Sequence, residues 1–491
     1  MTGKFYLSRR QFVGAALAAI AVPIIQACTP VTTPVPGAAP EATEPPVDTT
    51  PPAAGETAPP PEAGPTALPE TGQETAPLPY TSQTDVSGQL EFWHFWGSPL
   101  RRNAIRRVIA GFNEHYPEIQ ITETFVPFGD IWTRAIAAVA AGSGMPDVLV
   151  DTVQLFDRAQ NNIMTNLQEL ADRDNITEAD FWPHAWAQAN VEGNLYGLPY
   201  ETDIRVLYYN KAQFADAGLD PETPPADWDA LWTAADALDS IAENGSIERM
   251  GFHPLIGNIG LDQWAWCNGG EWQLEDGTPT INAPENVETL AWIQQWSDRY
   301  GKENVDAFQG TFGPPGLQDR FMSGKMSSLV DIQGYTSFLN FFNPNLSTEE
   351  GENLGYGLGA IPPAPGHEPV ALSGGFALTN PRGSQQTEAM WEFAKCAVYV
   401  GQASWARDTY AVPTVQELAR NDAVLNADPR WSFFIEAMDY GRPGVFNPFY
   451  PNMLEVLGPA VDAVLSGAMT PQEALGDAQR RAEEEIARAR G

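Results

Sequence analysis

Between residues 89 and 152 the sequence alternates three short apolar segments with two amphipathic ones. LEFWHFW (90–96), EIQITETFV (118–126) and PDVLVD (146–151) read as strands. The first intervening segment puts Ile105, Val108, Ile109, Phe112 and Tyr116 on one helical face and stops at Pro117. The second, RAIAAVAAGSG, reads as a helix of small residues. This β-α-β-α-β order with short connections predicts an α/β fold: an open parallel sheet with helices on both faces. Ligands in such sheets gather beyond the carboxyl ends of the strands. Further along, Trp228, Leu231, Trp232, Ala235 and Leu238 mark another amphipathic helix. Thr470-Pro471-Gln472-Glu473 reads as a capping box with proline at the first helical position.

The start of the chain reads as an address. A transmembrane helix needs roughly 20 apolar residues, and the run from Phe12 to Ile25 is shorter and holds Pro23. Lys4, Arg9 and Arg10 precede it, and Ser8-Arg9-Arg10-Gln11-Phe12-Val13 looks like the twin-arginine export signal. Ile25-Gln26-Ala27-Cys28 resembles a lipobox, with Gln26 departing from its usual residue, so residues 1–28 read as a lipoprotein signal peptide and Cys28 as the lipidated residue. The other reading is an ordinary cleavage site near Ala27 with an incidental cysteine. Residues 29–88 are almost all Pro, Thr, Ala, Glu and Gly. They cannot bury a core and read as a disordered tether, whose prolines give a reach on the order of 150 Å. The expected location is outside the cytoplasm, lipid-anchored to the outer face of the bacterial cytoplasmic membrane.

Charge narrows the partners. The net charge is −36. Residues 1–28 carry three bases and no acid, and residues 29–88 eight acids and no base, so most of the acidic excess belongs to residues 89–491. Such a surface argues against nucleic acid and against electrostatic attachment to anionic lipid. Beyond Cys28, Cys267 and Cys396 remain, with no CxxC and no Cys/His cluster at metal-ligand spacing; a disulfide between them and two separate buried thiols are both open. No G-x-S-x-G, H-E-x-x-H or P-loop occurs, and Gly355–Ala360 fails the dinucleotide fingerprint. No cofactor or metal is expected.

The chemistry-bearing residues are aromatic and acidic. Of fifteen tryptophans, the pairs Trp228/Trp232 and Trp292/Trp296 sit four apart on helices and read as packing. Others sit where strands give way to loops: Trp96 before Gly97-Ser98-Pro99, Trp264 and Trp266 before Asn268-Gly269-Gly270, Tyr335 after SSLVDI, and Phe446, Phe449 and Tyr450 in RPGVFNPFYPN. Rings flanked by carboxylates and amides suit a sugar, whose C–H face stacks on an aromatic while its hydroxyls need planar acceptors and donors. Asp151 ends VLVD and Asp203 lies in PYETDIRVLYYNK; both can accept from hydroxyls, cap a helix or pair with an arginine. Paired carboxylates with aromatics also describe a glycosidase.

Taken in order, these pieces resemble the extracellular solute-binding proteins of ABC importers, the group that includes maltose- and oligosaccharide-binding proteins. The most specific piece is NLYGLPYETDIRVLYYNKAQFADAGLDPETPPADWDAL (194–231), supported by GSGMPDVLV, WCNGGEW, FMSGKMSSLVDIQGYTSFL, ALSGGFALTN and SGAMTPQEALGDAQ. The resemblance covers residues 89–491. It implies a two-lobed periplasmic-binding-protein fold with a ligand cleft between lobes joined by three crossover segments, near 199–206, 325–332 and 409–414. Lobe I would then be 89–200 plus 331–409, and lobe II 201–330 plus 410–491. It also implies the ligand contacts Trp96, Ser98, Asp151, Tyr200, Asp203, Trp264, Trp266, Tyr335 (where the family often has Trp), Gly374, Gly375, Phe449 and Tyr450, with Arg442 as a polar partner. The expected protein is a monomeric, non-catalytic lipoprotein that captures a sugar or oligosaccharide and delivers it to the importer's membrane subunits. The alternatives are a membrane-anchored glycoside-active enzyme using Asp151 and Asp203, and the same receptor fold for a non-sugar ligand.

Overall fold

The computed structural model divides into two units, Met1–Gln73 and Glu74–Gly491. It describes residues 82–490 apart from 84, 153–154, 314–315, 317 and 349–354, so the twin arginines, Cys28 and most of the tether lie outside the described residues. The chain opens with β1 (Gly88–His94), α1 (Pro99–His115), β2 (Ile119–Phe125), α2 (Ile131–Ala141) and β3 (Val148–Thr152). β1 lies parallel between β2 and β3, as the alternating pattern predicts. α1 starts where it does because the Ser98 hydroxyl accepts from Arg101 N and Pro99 takes the first turn. It buries Ala104, Ile105, Val108 and Phe112.

Next come α3 (Leu155–Gln160), α4 (Pro183–Ala189) and β4 (Gly197–Thr202). The chain then builds a second body from β5 (Arg205–Asn210), α5 (Trp228–Leu238), α6 (Leu261–Trp266), α7 (Pro284–Tyr300), β6 (Ser328–Ile332), α8 (Tyr335–Phe342), β7 (Tyr356–Gly359) and β8 (Ala371–Leu372). It returns to the first through β9 (Gly375–Thr379), α9 (Thr387–Cys396), α10 (Gln402–Thr409) and β10 (Val412–Pro413). It ends in the second with β11 (Gly441–Arg442), α11 (Leu457–Leu465) and α12 (Pro471–Arg490).

The first body is a six-stranded sheet in the order β10-β4-β9-β3-β1-β2, in which β9 runs antiparallel between β3 and β4. The second is built around a three-stranded sheet in which β5 pairs antiparallel with both β6 and β7. Each has its own core. Leu90, Phe92, Val108, Phe112, Val150, Leu198, Leu378, Phe393 and Trp405 belong to the first. Val206, Tyr208, Trp228, Trp264, Trp272, Trp296, Val330, Trp431 and Leu475 belong to the second. Trp228 stacks on Trp292 at 4.1 Å and Trp232 meets Trp296 edge-on at 4.6 Å, so the helical tryptophan pairs pack as their spacing predicts. Thr470 N donates to the Glu473 carboxylate and Glu473 N to the Thr470 hydroxyl, closing the expected capping box.

The crossings differ from expectation at one place. The first falls at Asp203–Ile204, between β4 and β5, and the last follows β10. The middle one was expected near 325–332, but that segment is β6, bonded along its length to β5. Tyr335, Leu339, Ile361 and Ala371 follow it into the second core. The return crossing is therefore between Leu372 and Gly375, and the described residues of 331–372 pack with the second body, whereas the expected boundaries put them with 89–200. Cys267 lies in the second core, its thiol donating to Val370 O, and Cys396 in the first, so no disulfide joins them.

Candidate functional site

The carboxyl ends of β1, β2, β3 and β4 share one edge of the larger sheet with the start of β9. Alternation along β1 decides what that edge presents. Phe92, His94 and Trp96 turn into the core; Trp96 meets Tyr200 at 5.6 Å and Trp405 at 4.4 Å, and both Trp96 and Tyr200 are fully buried. Trp93 and Phe95 turn to the opposite face. There Phe95 contacts Phe376 at 4.7 Å, Phe128 at 5.0 Å and Trp132 at 5.9 Å, and Phe128 stands 55% exposed. The aromatic rim is thus built by Phe95 and not Trp96. Sequence reasoning missed Phe95, Phe128, Trp132 and Phe376; the parity of the β1 alternation was the available signal for Phe95.

Behind the rim the two crossings run side by side. Asp203 ion-pairs with Arg205 and accepts from Gly374 N at 2.9 Å. Ser373 Oγ donates to Asp203 O, Thr202 Oγ1 donates to Gly374 O, and Ile204 N donates to Gln333 Oε1. Gly375 has φ +138°, and a Cβ there would run into the Glu201 carbonyl oxygen. The close approach these glycines allow is therefore to the neighbouring crossing. Gly375→Ala is expected to cost roughly 1–3 kcal/mol, read as a lower denaturant midpoint; an unchanged midpoint would show that the crossing tolerates a side chain.

The charged groups here are mostly neutralised. Asp151 is fully buried, ion-pairs with Arg158 and accepts from Thr152 N. Burial lowers the Arg158 guanidinium to about 10. Burial pushes Glu201 up against its hydrogen bond from Trp405 Nε1, and pushes Asp331 up to about 6 against Ile332 N and Arg205. Asp262 is raised for the same reason. Asp151 and Asp203 are thus each held by an arginine. Among the described residues no cluster of three His, Cys, Asp or Glu is arranged to hold a metal.

From the second body, the Arg442 guanidinium lies 4.4 Å above the Trp266 ring and forms a two-point ion pair with Glu271 at 2.8 and 3.1 Å. Arg442 and Trp266, expected from segments far apart in sequence, do meet. Trp264, expected in a loop, sits on α6, donates to Pro254 O and packs against Trp292 at 5.0 Å in the core. Tyr335 is likewise buried, donating to Asp319 at 2.6 Å. Phe449 is exposed with Arg490 4.3 Å over its ring, and half-buried Tyr450 packs on the second core. The ring of that loop that reaches the first body is Phe446, 4.1 Å from Phe156 of α3. Ser98 is occupied as the cap of α1.

Two hollows lie near the crossings, one within the first body and the other between the bodies. A slot of about 10 Å³ is lined by Thr152, Leu155, Gln188, Glu201, Gly375 and Phe376. Beside it, a groove of about 410 Å³ runs between α3, α4 and residues 443–455. The family model of bacterial extracellular solute-binding proteins matches residues 98–398. The chain belongs to that family. Curated relatives of this solute-binding protein include the arabinooligosaccharide-binding protein of Halalkalibacterium halodurans, 23% identical over 76% of this chain and 79% of the relative. Another is the sn-glycerol-3-phosphate-binding periplasmic protein of Salmonella paratyphi A, 24% identical over 82% and 94%. Among solved structures, CpMnBP1 with mannotriose bound is 26% identical, with TM-score 0.71 over 80% of this chain and 99% of that one. A Thermotoga lettingae solute-binding protein bound with α-D-tagatose shares the fold at 23% identity and TM-score 0.67, over 82% and 100%. The family fold is two-lobed, and no helix among the described residues is long and apolar enough to cross a membrane.

Proposed function

We propose that this solute-binding protein is the carbohydrate receptor of an ABC importer, exported through its twin-arginine signal, held outside the cell at Cys28 by a lipid and working as a monomer without catalysis. The lobes that close on the sugar are residues 88–202 with 375–415, and residues 204–372 with 416–490. The observation that carries the reading is the rim of Phe95, Phe128, Trp132 and Phe376 at the carboxyl edge of the sheet, beside the Asp203–Arg205 pair. Rings supply the stacking face a pyranose needs, and the carboxylate and guanidinium supply hydroxyl acceptors and donors. CpMnBP1 and the arabinooligosaccharide-binding protein support the same ligand class. Closure follows because a ligand touching both lobes binds the closed state better.

Isothermal calorimetry of the intact chain tests this, with mono- and oligosaccharides and sn-glycerol-3-phosphate in one panel. At least one sugar is expected to bind with micromolar or tighter Kd, about −8 kcal/mol or more favourable, and to remain chemically unchanged afterwards. Binding of the phosphate ester alone would transfer the receptor to that ligand class, and release of reducing sugar would restore the enzyme reading.

A further inference from the structure

We infer that the second body carries a separate binding site for a small amphipathic anion, a molecule with an apolar ring and an acidic head. A hollow of about 650 Å³ opens in that body, in the size range of small-molecule sites. All of its lining residues lie between Ser240 and Lys325. It is therefore built by one lobe alone, and it shares no residue with the slot, the groove or the aromatic rim.

Two cations define where the acidic head sits. Met250 and Met326 form a parallel bridge, and both are fully buried. The residues before them, Arg249 and Lys325, therefore turn the other way and stand as neighbours on the wall of the hollow. Met250 N donates to Lys325 O at 2.9 Å, which fixes the pairing, and Arg249 Nε donates to Leu238 O at 2.8 Å, which holds the guanidinium in place. The chain has 63 acids against 27 Lys and Arg, yet among the described residues neither of these cations has an ion pair. Glu248, the one acid among the lining residues, accepts from the Ser240 hydroxyl instead. Like charges side by side repel, and an anion placed between them removes that repulsion and takes charge-assisted hydrogen bonds from both.

The floor supplies the apolar half. Phe308 is buried and Phe312 half-buried, their ring centroids 4.9 Å apart and edge-on, with half-buried Ile247 lining the same hollow. A ring laid over these side chains loses water from its face while its acid reaches the two cations. A neutral sugar lacks the charge, and inorganic phosphate lacks the apolar part. A net charge of −36 opposes approach to an anionic lipid surface, so the ligand is a free molecule. Because every wall belongs to one lobe, the site is the same whether the lobes are apart or together, and its ligand leaves closure unbiased.

Fluorescence titration of the intact chain tests this with two probes, anilinonaphthalene sulfonate and phenylnaphthylamine, which has the same rings and no sulfonate. The parent protein is expected to bind the sulfonate about tenfold more tightly than the uncharged probe. Lys325→Gln is expected to weaken the sulfonate about threefold, and Lys325→Gln with Arg249→Gln about tenfold, while the uncharged probe binds all three proteins alike. Lys325→Arg keeps the charge and is expected to keep the parent affinity, and both single variants are expected to keep the parent melting curve. Added salt should weaken the sulfonate and spare the uncharged probe. No binding of the sulfonate by the parent, or equal binding by the parent and the double variant, would overturn the site. So would displacement of the sulfonate by excess mannotriose, maltotriose or arabinotriose, which would put the probe between the lobes.

Discussion

Lys395→Met is expected to lower stability by about 3–5 kcal/mol, the cost of stranding buried charge. Lys395 Nζ lies 2.6 Å from Asp174 and 2.8 Å from Glu392, and all three side chains are at most 1% exposed. The rest of the network depends on that ammonium. Trp391 Nε1 and Arg173 donate to Asp174, while Tyr116 OH and Gln83 N donate to Glu392. Burial pushes Asp174 up, but hydrogen bonds from Arg173, Lys395 and Trp391 outweigh it and hold the carboxyl at about 2. Without the lysine, the ion pair left to Glu392 among the described residues is with the distant edge of Arg173, at 3.9 Å. Urea unfolding checks this. Lys395→Met combined with Glu392→Leu is expected to recover part of the loss, because both charges then go together. A single-variant loss under 1 kcal/mol would mean that water reaches the site.

Between pH 7 and pH 5 the folded state is expected to lose several kcal/mol through three histidines. Burial lowers His94 and His184 to about 4 and His253 to about 3, against an ordinary 6.5. His94 Nδ1 accepts from Trp96 N and His253 Nδ1 from Leu255 N, bonds that a protonated ring could not accept. The unfolded chain takes up protons first as the pH falls below 6.5. The stability these rings contribute is thus fully present above that value and declines toward pH 4, by up to about 2 kcal/mol per ring at pH 5. Asp331, raised to about 6, acts in the opposite direction: its protonation in the fold returns a little over 1 kcal/mol across the same interval. The three imidazole resonances should stay in the neutral form down to pH 5 while the denaturation midpoint falls. A midpoint that holds or rises, with titrating resonances, would show the rings to be solvated.

Much of the fold was readable because it rests on local periodicity. The α1 stripe, the small-residue helix before β3 and the Thr470 capping box each follow from spacing within one segment. The middle crossing was not readable, since β6 ends in loop-like residues and only its bonding to β5 shows that the chain stays in the second body. The site was harder for the same reason. Phe95, Phe128 and Phe376 meet from three segments up to 281 residues apart, and Phe156 meets Phe446 from opposite lobes. Within β1 the tryptophan attracted notice, but strand parity gives Trp96 to the core and its neighbour to the rim. The Arg442–Trp266 contact was not foreseen, since the two residues come from segments far apart in sequence and only the fold brings them together.

The stitching of the two crossings has a mechanical consequence. Thr202–Asp203 and Ser373–Gly374 hold the outgoing and returning chain to each other by hydroxyl, backbone and carboxylate hydrogen bonds. Two strips of chain fastened together in this way resist sliding past one another, since any shear would break several bonds at once. Rotation about the line between them breaks none. The lobes are therefore left with swinging as their low-cost relative motion, and whatever binds between them works against a single angle.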